Sequence, residues 1–216
     1  MARIDDYKES FRLASIELRK KDPAVLARAA GVQCLSDGEG KSTSLVVPFL
    51  GSNYTVEILP QTDIRKENSE EEIPIPDKIL IAHYLLGATG KWTPGKLITF
   101  RQIPDGHFYY DAFQRRARDP LLNFFGNNGK LFVKCAEMMG ATHVENGDFG
   151  MEFRVLPQIC IQLVLWHGDE EFPPDATILF DENIQHHLPV EDIAVLCGSL
   201  VYRLIGLGRK VQSGGV

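Results

Sequence analysis

From Leu156 to His187 the chain reads LPQICIQLVLWHGDEEFPPDATILFDENIQHH. Ile159, Ile161, Leu163 and Leu165 alternate, so one side of an extended strand is wholly aliphatic and has to face a core. The opposite side carries Gln158, Cys160, Gln162, Val164 and Trp166. The strand pattern Met151–Trp166 ends at Trp166-His167-Gly168. Three carboxylates and a Phe172-Pro173-Pro174 stop follow, and a second strand pattern, Ala176–Phe180, closes on Asp181. Two apolar runs bracketing a polar loop predict an antiparallel hairpin. A second pair, Ser42–Phe49 and Tyr54–Leu59, is joined through Gly51-Ser52-Asn53. Helical spacing lies elsewhere: residues 4–20, a short helix opened by Asp22-Pro23 and stopped at Gly31, a helix from Pro76-Asp77 to Gly87, and Lys130–Met139. Further helical patterns run through Tyr109, Phe113 and Arg116 to Gly126, and from Leu188-Pro189 through Leu204. Strands and helices do not alternate as βαβ units. The expected fold is therefore α+β, an antiparallel sheet built from two hairpins and packed with several helices.

Length and composition bound the rest. With 216 residues, 44% hydrophobic and 24% charged, the chain suits one globular domain over residues 1–208. Within it we expect N-terminal helices over 1–31 and a main body over 32–208, with 209–216 as a flexible tail. Arg65–Glu72 reads as a charged loop, and Leu97–Ile103 as a short strand. The net charge of -6 and the absence of a basic block argue against nucleic acid as the partner. No apolar run approaches the ~20 residues that span a bilayer, and MARIDDYKES has no signal-peptide core, so we expect a cytoplasmic protein without a membrane partner.

Familiar motifs fail on inspection. Gly38-Glu39-Gly40-Lys41-Ser42-Thr43 resembles a phosphate loop, but Leu35 stands where the pattern needs its first glycine, and Ser42 enters a strand rather than a helix. Cys34, Cys135, Cys160 and Cys197 are far apart with no C-x-x-C pair, and read as small apolar residues. No nucleophile elbow or H-E-x-x-H occurs.

The binding candidates come from the strand face and the aromatic middle of the chain. Gln162 and Trp166 combine amide hydrogen bonding with ring area, as a pocket wall does. The same face could instead be covered by a helix. His167 leaves the strand beside Trp166. Trp92, Tyr109 and Phe113 are interleaved with Arg101, a guanidinium able to hold a carboxylate or phosphate beside an aromatic ring. An aromatic core with a solvated basic face fits those residues equally well. His83 lies on the helix face of Ile79 and Leu86, as a packing residue or, in place of His167, an axial-type ligand. Asp169 and Glu171 are the candidate ligands for a divalent metal. They cannot share an ion with Asp181, because a paired hairpin places them about 16 Å away at roughly 3.3 Å per residue. A ligand-binding module, a metal-dependent hydrolase using the acidic loop, and an assembly factor docking through that loop all remain open.

The order of motifs resembles an uncharacterised prokaryotic family, the domain-of-unknown-function 3786 proteins. The residues that carry it are Asp77-Lys78-Ile79-Leu80 through His83-Tyr84-Leu85-Leu86, Ile98-Thr99-Phe100-Arg101, Gly106 with Tyr109 and Phe113, the stretch LPQICIQLVLWHGDEEFPPDATILFD, and Leu188-Pro189-Val190-Glu191-Asp192. The resemblance implies an anaerobic setting and a role with a tetrapyrrole, corrinoid or divalent metal. It also implies an iron–sulfur or corrinoid protein as partner. Some relatives carry a cysteine-rich iron–sulfur segment that is missing from this chain. The family brings no assigned activity and no catalytic residues.

Overall fold

The computed structural model describes residues 4–36, 43–90 and 95–215. The chain forms two compact units: residues 1–93 with 156–158 and 186–188, and the remainder.

In the first unit, α1 (Ile4–Arg19) and α2 (Pro23–Ala30) precede a four-stranded antiparallel sheet. The Asp22 carboxylate accepts the Ala24 N–H, and Gly31 closes α2 with a φ of 65° that suits glycine. The sheet runs β1 (Gln33–Ser36), β2 (Thr43–Phe49), β3 (Ser52–Glu57), β4 (Asp63–Lys66) in spatial order. Arg65 and Lys66 therefore belong to a strand, not to the expected charged loop. Arg65 pairs with Asp63 on its own strand and with Glu57 across on β3, at the surface of that edge. The helix α3 (Ile75–Gly87) buries Ile79, Leu80, Ile81, Ala82, Tyr84 and Leu85. The Tyr84 hydroxyl donates to the Ala30 carbonyl at 2.7 Å.

The second unit is built on a five-stranded antiparallel sheet in the order β5-β9-β8-β7-β6. Its strands are β5 (Leu97–Thr99), β6 (Thr142–Val144), β7 (Phe149–Leu156), β8 (Ile159–Trp166) and β9 (Asp175–Asp181). The expected strand at Leu97–Ile103 stops at Thr99, because the Gln102 side chain accepts the Thr99 N–H and hydroxyl and curls the chain into a 3-10 turn. The expected Met151–Trp166 strand is two strands around a Pro157-Gln158 turn. The helices are α4 (Gly106–Phe113), α5 (Asp119–Phe125), α6 (Gly129–Met138) and α7 (Val190–Gln212), with a π-helical turn over Gln114–Arg118 between α4 and α5. α7 runs past residue 208, so residues 209–212 are helix and not tail. Gly208 is a packing contact there rather than a stop: a Cβ on it would lie 2.6 Å from the Phe124 ring. The core centres on Phe100 stacked on Phe113 at 4.2 Å, with Phe180 at 6.2 Å from both.

Candidate functional site

β8 and β9 pair with Trp166 opposite Asp175 and Ile161 opposite Phe180. The acidic loop and Asp181 therefore stand at opposite ends of the hairpin. The aliphatic side of β8 is buried, with Ile161 and Leu163 fully so. Its other side is buried too at Gln162 and Val164, while Cys160 is half-buried and Trp166 exposed, which sequence periodicity does not reveal. Gln162 is 7% exposed and accepts from Asn146 at 2.8 Å while donating to Glu152 at 2.9 Å. Its amide is engaged with the protein, so Gln162 is not a pocket-lining donor.

The cover over this side is the turn between β6 and β7. Gly147 adopts a φ of 64°, and a Cβ on it would overlap Val164 Cγ1 and lie 3.2 Å from the Trp166 ring. Only glycine allows that backbone so close to β8. The Asp148 N–H donates to the Leu165 carbonyl at 3.1 Å, and the Asp148 carboxylate accepts the His167 N–H at 2.7 Å. The two bonds knit the turn to the end of β8.

Beside this turn lies an open concavity of about 360 Å³. Lys130 and Val133 of α6, His143 and Val144 of β6, and Asp148, Phe149 and Gly150 line it. Phe149 packs on Gly129, where a Cβ would overlap the ring, and meets the His167 ring edge-on with centroids 5.0 Å apart. His143 Nε2 lies 2.9 Å from a Glu137 carboxylate oxygen. Lys130 makes no ion pair among the described residues.

The residues expected from sequence are dispersed. His167 borders the concavity through Asp148 and Phe149, and Trp166 is 38% exposed next to it. Phe113 is a correction: it is 4% exposed inside the aromatic stack, so its ring serves the core. Tyr109 is half-buried on α4. The Arg101 guanidinium lies 3.9 Å over the Tyr110 ring, a cation–π contact. His83 is half-buried on α3 in the first unit. Trp92 lies outside the described residues.

The acidic loop has a structural use for its first carboxylate. Asp169 accepts the Glu171 and Phe172 N–H groups at 2.8 and 2.7 Å, and its own N–H donates to the Phe172 carbonyl. These backbone donors hold its carboxyl below the usual aspartate value. Glu171 is exposed. Among the described residues, no group of three or more His, Cys, Asp or Glu converges as a metal ion would require. Burial pushes the Cys135, Cys160 and Cys197 thiols up, away from the thiolate that a ligand or nucleophile needs. Nothing in the sequence singles out Lys130, His143, Asp148 or Phe149. The one local signal was Asn146-Gly147, a dipeptide typical of tight hairpin turns.

Fold and site together define an α+β protein whose second unit offers a ligand-sized concavity at one edge of an antiparallel sheet. Residues 22–203 match the model of the family described as Domain of unknown function (DUF3786), and the chain belongs to that family. No curated protein and no solved structure matches the chain. Among the described residues, no helix is long and apolar enough to cross a membrane.

Proposed function

We propose that the chain is a cytoplasmic ligand- or cofactor-binding module whose site is the concavity between α6, β6 and the start of β7. One observation carries this reading. A hollow of about 360 Å³ falls within the roughly 300–1,000 Å³ typical of small-molecule sites, and it combines apolar walls with a few polar groups. Val133, Val144 and Phe149 supply area, while Lys130, His143 and Asp148 supply orientation. In the anaerobic setting that the resemblance implies, the ligand class is a tetrapyrrole or corrinoid, and the partner served is an iron–sulfur or corrinoid protein. The exposed imidazoles of His167 and His143 are the groups at hand for an axial contact.

The test is absorbance and thermal-shift titration with haemin, cobinamide and a panel of small aromatic compounds. Val133→Phe, which fills the hollow from the α6 side, serves as the control. Saturable binding that is lost in Val133→Phe is the expected result. Binding that is unchanged in Val133→Phe, or absent across the panel, overturns the assignment of the site.

A further inference from the structure

We infer that the concavity selects a small ring-bearing anion, its flat ring against Phe149 and its carboxylate or phosphate against Lys130. This rests on the ligand-binding reading above and replaces the tetrapyrrole or corrinoid with a smaller ligand class, because a hollow of about 360 Å³ is sized for a single ring system rather than a whole macrocycle. The wall carries one permanent cation, Lys130, with the Asp148 carboxylate and the His143 imidazole beside it. Lys130 has no carboxylate partner among the described residues. Its ammonium group borders a hollow whose other walls include Val133, Val144 and Phe149. Lys130 is itself exposed, so its contact with an acid would be a solvent-screened, salt-sensitive one that the apolar walls supplement with ring contact.

The two acidic groups nearby are already engaged. Asp148 accepts the His167 N–H, and Glu137 faces His143 Nε2. The bond from the His167 backbone ties one Asp148 oxygen to the end of β8, and Glu137 is drawn to His143, which leaves Lys130 as the wall's cation for an incoming acid. The ring requirement follows from Phe149. The α6 backbone at Gly129 and the edge of His167 hold this half-buried side chain in place, and it forms part of the hollow's lining. An aromatic ligand meets it in an offset or edge-on geometry. The chain's net charge of -6 repels anions at long range, so a preference for an acid would be a local effect of the wall, where Lys130 is the permanent cation.

Trp166 reports on the site, since it borders the Gly147 turn, and Trp92→Phe leaves it as the single tryptophan. Its fluorescence is titrated with benzoate, phenyl phosphate, benzyl alcohol and benzylamine at matched ionic strength. An acid should bind about tenfold tighter than the alcohol, as expected for a charge-assisted over a neutral hydrogen bond. The preference should shrink at about 0.5 M salt, disappear in Lys130→Gln and return in Lys130→Arg. Benzoate against phenyl phosphate separates carboxylate from phosphate. Equal binding of acid, alcohol and amine, or tighter binding of the amine, overturns the anion assignment while the ligand site stands. Binding of none of the four, while haemin or cobinamide still binds and is lost in Val133→Phe, overturns the small-anion assignment alone; absence of every one of these overturns both.

Discussion

Replacing Phe113 with alanine separates a core residue from a ligand-binding one. Its ring is stacked on Phe100 at 4.2 Å with an interplanar angle of 7°, sits 6.2 Å from Phe180, and is 4% exposed. Truncation removes the transfer free energy of a buried aromatic and leaves a cavity, at a cost of about 3–5 kcal/mol. Roughly 0.5–1.5 kcal/mol of that total is pairwise aromatic contact that a leucine cannot restore. Phe113→Leu keeps most of the apolar volume and should cost less than half as much. Urea unfolding followed by Trp166 fluorescence in a Trp92→Phe background reads the second unit. With a slope of about 2–3 kcal/mol per molar, Phe113→Ala should lower the midpoint by about 1–2 M. The binding constant of the folded protein for a benzoate probe should not change. A midpoint within about 0.3 M of the parent, together with lost probe binding, would refute the placement of this ring in the core.

Three further outcomes follow from local geometry. Gly147→Ala places a methyl group against Val164 in a backbone conformation that costs an L-residue about 1–2 kcal/mol; near-UV circular dichroism of Trp166 should change, and an unchanged spectrum would remove the turn from its place over β8. Gln162→Leu strands Asn146 and Glu152 and should destabilise by about 1–3 kcal/mol in thermal unfolding; a stabilised variant would show that the amide network is dispensable. The Asp169 carboxyl lies below its usual value in the folded chain, so its loop closure is fully present above the ordinary aspartate range and is lost as pH falls through the lowered value; the Phe172 amide proton shift should titrate in that acid window and be flat in Asp169→Ala.

Local chemistry made much of this fold readable. Asp22-Pro23 opens a helix because the carboxylate caps it and the proline lacks the N–H a first turn leaves unused, and Gly31 ends it by tolerating positive φ. The alternation of Ile159, Ile161, Leu163 and Leu165 determined a buried strand face, and the two apolar runs around Asp169-Glu170-Glu171 determined the hairpin and separated the acids from Asp181. Periodicity says which side of a strand must be apolar, but not what covers the other side. That was decided by a turn at Gly147, outside the β8–β9 hairpin, whose Asn146 meets the Gln162 amide. The same limit applies to the aromatic residues: Phe113 and Tyr110 read alike in one dimension, yet one is stacked in the core and the other lies beneath an arginine. The concavity draws Lys130, His143 and Phe149 from a helix and two strands. Its existence depends on distances across the fold, which no local propensity encodes.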